Sequence, residues 1–308
     1  MLGDRGFAAD GANLAIPPVA IFSKLYQELK LNFEQSAEVT AEAGLDGVDC
    51  AVRAGGEIEP ERAADDMPRY ADALAKDGAK MLLLTTGILG VDSPHCREIL
   101  ATAKKLGIRY YRLGFWHKPA DAAAEKYLGE IKARLKELAA LNRELGVCAL
   151  FENHSAPGTK VGGASQPEAS ARKLLAEGKS SGMAGGDLAE LYEIVKDFDS
   201  DQIAVAFDLG HAIIMHGDEW HAHFERLKSH IKVAYIKDVG RTSRFVPFGQ
   251  GEFVKTDFFT LLKQMNYRAP ISMHIEYAWA PDGKKTRAAM VDMLKKNRQV
   301  LAQWWERA

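Results

Sequence analysis

Four apolar runs in the second half of the chain each run into a carboxylate: ALFENH (149–154), IAVAFDLGH (203–211), AYIKD (234–238) and ISMHIE (271–276). Acids and imidazoles at the end of a buried run are costly to desolvate unless something pairs with them. Glu152, Asp208 and Glu276 converging on one dry mouth would repel one another, each with a raised pKa, unless a cation stood between them. A divalent metal meets that need, and mixed carboxylate and imidazole ligation suits Mn2+, Mg2+ or a related ion. Taken singly, each acid could equally cap a helix or pair with a surface base. Three at equivalent strand ends favour a shared site.

Other polar residues fall at the same kind of position: Arg112, His154, His211, Lys237, Asp238, Arg241 and His274. Side chains alternate faces along a strand, so Glu152 shares a face with His154, Tyr235 with Lys237, and His274 with Glu276. His211 follows Asp208 across a glycine (DLGH), which favours a substrate contact or a group supporting the site over a core histidine. Lys237 reads either as a rim lysine with its head in water or as an inward ammonium that competes with or complements a metal. Arg112 suits a substrate contact or a structural partner for an acid. Trp116 is packing or the aromatic wall of a sugar pocket, and FGQG (248–251) is a tight glycine turn.

These residues need a scaffold that aims strand ends at one point. Strand patterns fall at 19–23, 47–52, 79–87, 108–116, 147–154, 203–208, 232–238 and 269–277. Helical patterns follow at 33–43, 61–76, 93–106, 121–145, 187–198, 219–230, 257–265 and 284–305, several closed by a glycine such as Gly44, Gly78 or Gly146. Eight alternating strand–helix units predict an α/β fold, a closed (β/α)8 TIM barrel, whose sites lie at the C-terminal strand ends. A doubly wound open sheet would carry a glycine-rich phosphate turn after its first strand, and VAIFSKLYQ has none. The loop SAPGTKVGGASQP after the fifth strand has the length and composition of a binding loop or lid.

The 308 residues, 47% hydrophobic with a net charge of −2, suffice for a sizeable core and announce no nucleic-acid or membrane partner. Cys50, Cys96 and Cys148 show no disulfide spacing. Residues 1–18 read as a flexible leader and 19–308 as one domain. The expected location is cytoplasmic, or periplasmic if an upstream signal has been trimmed.

The motifs ALFENH, AFDLGH, YIKDVGR with PFGQGEF, and ISMHIEY resemble the xylose isomerase-like TIM barrels of sugar isomerases and epimerases. That superfamily also holds inosose dehydratase-like and AP-endonuclease-like branches. The resemblance runs from about Val19 onward, with the specific motifs at 147–277. It implies a divalent ion, Mn2+ first and Mg2+, Co2+ or Zn2+ next, on Glu152, Asp208 and Glu276, with the two glutamates as the acid/base pair. It further implies substrate contacts from His211 and Arg241, and self-association is expected because related barrels form dimers or tetramers. The position of the usual metal histidine holds Tyr235, so His274 or His154 would replace it, or Lys237 would supply positive charge instead.

The leading expectation is therefore a metal-dependent sugar isomerase or epimerase that moves a proton next to a carbonyl. Glu152, Glu276 and Lys237 would be catalytic. His154, His211, Arg241, Arg112 and Trp116 would bind a small sugar or sugar derivative, and Glu152, Asp208, Glu276 and His274 would hold the metal. With a leaving group β to the carbanion, the same groups give a lyase or dehydratase acting on a keto-sugar or 3-keto-glycoside. A sugar-binding barrel with a degraded metal site is the non-catalytic alternative. A nuclease would need more histidines and basic loops than this chain carries.

Overall fold

The computed structural model describes residues 15–117, 124–155, 160–161, 164–165, 183–241, 244–280 and 282–308. Eight parallel strands close into a barrel: β1 Val19–Phe22, β2 Gly47–Val52, β3 Lys80–Thr86, β4 Tyr110–Arg112, β5 Cys148–Glu152, β6 Ile203–Asp208, β7 Ile231–Ile236 and β8 Ile271–Met273. Each pairs with its neighbours in chain order, and β8 returns to β1 through Val19 and Ile271. The predicted (β/α)8 barrel is thus the observed fold. Residues 1–14 of the expected leader, and most of the loop after β5, lie outside the described residues.

Helices α1 Phe33–Glu42, α2 Ala63–Lys76, α3 Cys96–Lys105, α4 Ala124–Leu145 and α5 Leu188–Val195 wrap the first half and the middle. They are followed by α6 Leu209–His216, α7 Trp220–Leu227, α8 Phe258–Gln264 and α9 Arg287–Arg307. Local signals explain several ends. Asn32 and Gln35 form a reciprocal capping box on α1, and Gly146, at φ 72°, takes the left-handed turn that ends α4.

Alternation along the strands divides the core in two. Outward residues such as Phe151, Val205 and Phe207 pack against the helices, with Phe207 between Phe224 and Phe258. Inward residues Ala20, Leu83, Cys148, Leu150, Ala204, Ala206, Val233 and Tyr235 fill the barrel. This plug is apolar at its base, and continuing the same parity upward brings Glu152, Asp208, Lys237 and His274 to the top. A separate polar pocket lies between the barrel wall and α1–α2. There the half-buried Glu57, its Oε1 shut off from solvent, lies beside Ser23, Ser36 and Tyr70, and desolvation pushes its carboxyl up to about 7.

Three expectations change. The long strand patterns 108–116 and 269–277 shrink to three residues each in β4 and β8, so His274 and Glu276 stand beyond the last ladder pair. An additional helix, α6, begins directly at the DLGH motif, where strand and helix share the apolar run. The helix expected at 219–230 is preceded by a 3-10 turn, Gly217–Glu219, that separates it from α6.

Candidate active site at the C-terminal barrel mouth

Asp208 is both the last residue of β6 and the N-cap of α6, its Oδ1 accepting the His211 N–H at 3.0 Å. The helix can start there because Gly210 lacks a Cβ, which would lie 2.9 Å from both the Cβ and the carbonyl oxygen of Lys237. Asn153 locks the neighbouring strand ends together, donating to the Asp208 carbonyl and accepting the Asp208 N–H, both at 2.8 Å. The register sets Asp208 beside Tyr235, so Lys237 stands one inward position higher and reaches back toward the acid.

The Lys237 ammonium ends among the three acids. Its Nζ lies 3.0 Å from Asp208 Oδ2 and 3.6 Å from both Glu152 Oε1 and Glu276 Oε1. It also donates to His211 Nε2 at 2.7 Å. The side chain is only 1% exposed. Burial would lower its pKa, but Asp208, Glu276 and Glu152 together raise it well above the ordinary lysine value. It is therefore a permanent cation.

The acids respond to that charge. Burial would lift Glu152, yet Lys237 and Arg112, whose Nε is 3.4 Å from Glu152 Oε2, hold it down at about 2. Burial likewise opposes ionisation of Glu276, and Lys237 and His274 hold it below the usual range. Asp208 stays above the usual range because burial dominates there.

His211 and His154 are held neutral, with burial, then Lys237, pushing His211 down strongly, and burial lowering His154. An ammonium can only donate, so His211 Nε2 accepts and its Nδ1–H donates to Ser155 Oγ at 2.7 Å. His154 Nδ1 meets the Ser155 carbonyl at 2.5 Å, which makes Nδ1 the donor and leaves Nε2 as an acceptor.

These groups face a cavity of ≈ 360 Å³, at the small end of the range for small-molecule sites of roughly 300–1,000 Å³. Glu152, His154, Lys237, His274 and Glu276 line one side, and Arg112 stacks on Phe115 at 4.3 Å. His274 packs between Phe22 and Tyr235, with Nε2 3.7 Å from Asp49 Oδ2.

Eight of the sequence-based candidates come together: Arg112, Glu152, His154, Asp208, His211, Lys237, His274 and Glu276. Two do not. Trp116 stacks flat on the outward-facing Phe151 at 5.0 Å, so it belongs to the packing outside the barrel, and its neighbour Phe115 faces the cavity. Arg241 has an 85% exposed side chain paired with Glu252 at 3.4 Å and borders a different surface depression. Asp238 is also structural, its carboxylate accepting the N–H groups of Val239, Gly249, Gly251 and Phe253 and so shaping the FGQG turn.

Sequence reasoning missed Lys24, Arg53 and Asp49. Asp49 interrupts an apolar strand and is held by Thr85 and Ser272 at 2.8 and 3.0 Å, while Arg53 follows β2 as directly as Arg112 ends β4. The strand-end test would have found Lys24 and Arg53 had it been applied to β1 and β2.

The donor chemistry suits a divalent cation. Glu152, Asp208 and His274 bring one ligand atom each within 4.8 Å of one another, as do Glu152, His154 and His211. The space among the acids, however, is where Lys237 Nζ lies. Metal–oxygen bonds of about 2.0–2.6 Å to the same carboxylates would put the ion against the ammonium. With Lys237 in this position the acids do not fit a divalent ion.

A closed parallel barrel with its titratable residues gathered at the C-terminal mouth has the layout of a TIM-barrel enzyme site. The chain belongs to the xylose isomerase-like TIM barrel family, which it matches over residues 37–297. No curated protein matches it in sequence. Among solved structures, L-ribulose 3-epimerase is similar at a TM-score of 0.64 and 14% identity, covering 95% of each chain. The IOLI protein with a bound zinc atom gives 0.63 and 17%, covering 93% of this chain and 99% of that one. The probable 3-DHS dehydratase AsbF of Bacillus anthracis gives 0.63 and 11%, covering 90% and 97%. At these identities the likeness is one of fold.

Proposed function

We propose that the protein is a sugar isomerase or epimerase that moves a proton on the carbon next to a carbonyl, with Lys237 as its resident cation. The observation that carries this reading is the Lys237 ammonium held among Glu152, Asp208 and Glu276 at the wall of a sugar-sized cavity. Its Nζ donates to His211 and pairs with Asp208, Glu152 and Glu276, and Lys237 lines the cavity, where a substrate oxygen would meet its charge. There it would stabilise the negative charge that grows on the carbonyl oxygen as the neighbouring carbon loses its proton.

The two ionised glutamates flank that position. One abstracts the proton and, now a carboxylic acid, returns it to the adjacent carbon in isomerisation. In epimerisation the other, having first taken a proton from solvent, delivers it to the opposite face while the first gives its proton up to solvent. His154 Nε2 accepts a substrate hydroxyl. The amine is held protonated, which argues against an imine with the substrate. Epimerase and probable-dehydratase folds both stand among the similar structures, so β-elimination from the same carbanion is the second reading.

A divalent ion, Mn2+ above all, on Glu152, Asp208, Glu276 and His274 would require Lys237 to withdraw. Chelator-treated enzyme incubated in D2O with ketohexoses, inososes and 3-keto-glycosides tests the proposal. Deuterium next to a carbonyl, with or without elimination, supports it. No exchange into any of them, with or without added Mn2+, removes it and favours a non-catalytic sugar-binding barrel.

A further inference from the structure

The cavity has a second wall whose charge the proton-transfer reading does not use. Lys24 is the second residue of the 3-10 turn after β1, and Arg53 follows β2, on the side of the mouth formed by the first strands. Both line the cavity together with Arg112. Neither Lys24 nor Arg53 has a carboxylate within 4.0 Å among the described residues, whereas Arg112 is paired with Glu152. The Arg53 Nε is withdrawn from solvent and makes no hydrogen bond among the described residues. Burial first, and then the charge of Arg112, lowers the Arg53 pKa, so the two guanidiniums are close enough to repel.

The backbone that carries these cations is fixed. Ser23 Oγ accepts the Ala51 N–H at 3.0 Å, and Gln27 donates to the Gly55 carbonyl at 3.3 Å, tying the β1 and β2 ends together. A half-buried cation such as Arg53, which repels its neighbour and has no carboxylate of its own among the described residues, is unfavourable by itself and becomes favourable when an anion lies beside it. Lys237 cannot be that anion's main partner, because three carboxylates already neutralise it.

We propose that the cavity binds a sugar carrying an anionic group, a carboxylate or a phosphate, which Arg53 and Lys24 hold while the carbon next to the carbonyl faces Glu152 and Glu276. The inference rests on the reading of this cavity as the substrate site. Arg53 supplies the planar fork that suits a carboxylate or phosphate, and Lys24 adds a point charge at the rim. The neutral part of the sugar then spans toward Lys237.

Calorimetric titration of D-fructose, D-fructuronate and D-fructose 6-phosphate, at low and moderate salt, tests this without needing turnover. The expected result is that at least one charged ligand binds about tenfold or more tighter than D-fructose, with the difference shrinking as salt rises. The tighter of the two charged ligands distinguishes carboxylate from phosphate. R53Q combined with K24Q should abolish the preference, and R53K should keep most of it. Equal binding of all three sugars, a preference that survives R53Q/K24Q, or no binding of any of them overturns the inference. An acid preference in an enzyme that exchanges no proton supports the anion site and counts only against the proposed reaction. Proton exchange into neutral sugars without any acid preference does the reverse.

Discussion

Lys237 Nζ and Asp208 Oδ2 lie 3.0 Å apart with both side chains withdrawn from solvent. This pair joins the inward end of β6 to the residue that follows β7, and it puts a fixed positive charge where an ion would otherwise be needed. Breaking a buried pair by removing one partner leaves an uncompensated charge, at a cost of ~3–5 kcal/mol.

K237A should therefore lower the Tm sharply in metal-free buffer. The vacated space among Glu152, Asp208 and Glu276 should then accept Mn2+, so the variant regains stability when Mn2+ is added. The native protein should show no comparable gain. Thermal unfolding with and without MnCl2 checks both halves.

E276Q should fold nearly normally, because Glu276 sits at the mouth with 14% of its side chain exposed. Its deuterium exchange should fall by roughly 10²–10⁴-fold, the usual worth of a positioned acid or base. An E276Q enzyme that exchanges at the native rate would remove this glutamate from the proton path.

Glu57 predicts a pH dependence unrelated to the active site. Burial raises its folded-state pKa from 4.5 to about 7, so the folded state keeps a proton that the unfolded chain has released. Its contribution is fully present below the unfolded value and is lost as pH rises through about 7. E57Q should match the native Tm near pH 5 and exceed it by a few °C near pH 8. Parallel Tm–pH curves for the two proteins would contradict this.

Asp238 accepts four backbone N–H groups, those of Val239, Gly249, Gly251 and Phe253. Hydrogen bonds to a charged acceptor are worth about 1.5–3 kcal/mol each, so D238A should destabilise the protein by at least that much. The turn at 247–253 should become the first site of limited proteolysis. Unchanged cleavage kinetics would count against the anchoring role.

How far the sequence could be read follows from what sets each feature. Strand parity is a local property, so Glu152, Asp208, Lys237 and His274 were legible as one inward set, and eight alternating units were enough for the barrel. The reach of a long side chain is not local. Lys237 could have snorkelled to the rim; only the register with β6 and the closeness allowed by Gly210 turn it down onto Asp208. Trp116 and Arg241 lie beyond their strands, where alternation no longer dictates direction, and both turn away from the cavity. Asp238 looked like a fourth strand-end acid, but the returning FGQG turn claims its carboxylate.

The position of Lys237 is the centre of the mechanism, and one diffraction experiment addresses it directly. Crystals grown with MnCl2 and measured at the manganese edge should show Nζ density among Glu152, Asp208 and Glu276, and no anomalous peak there. A manganese peak bound by those carboxylates, with Lys237 swung aside, would contradict the lysine-centred site and restore a metal-dependent one.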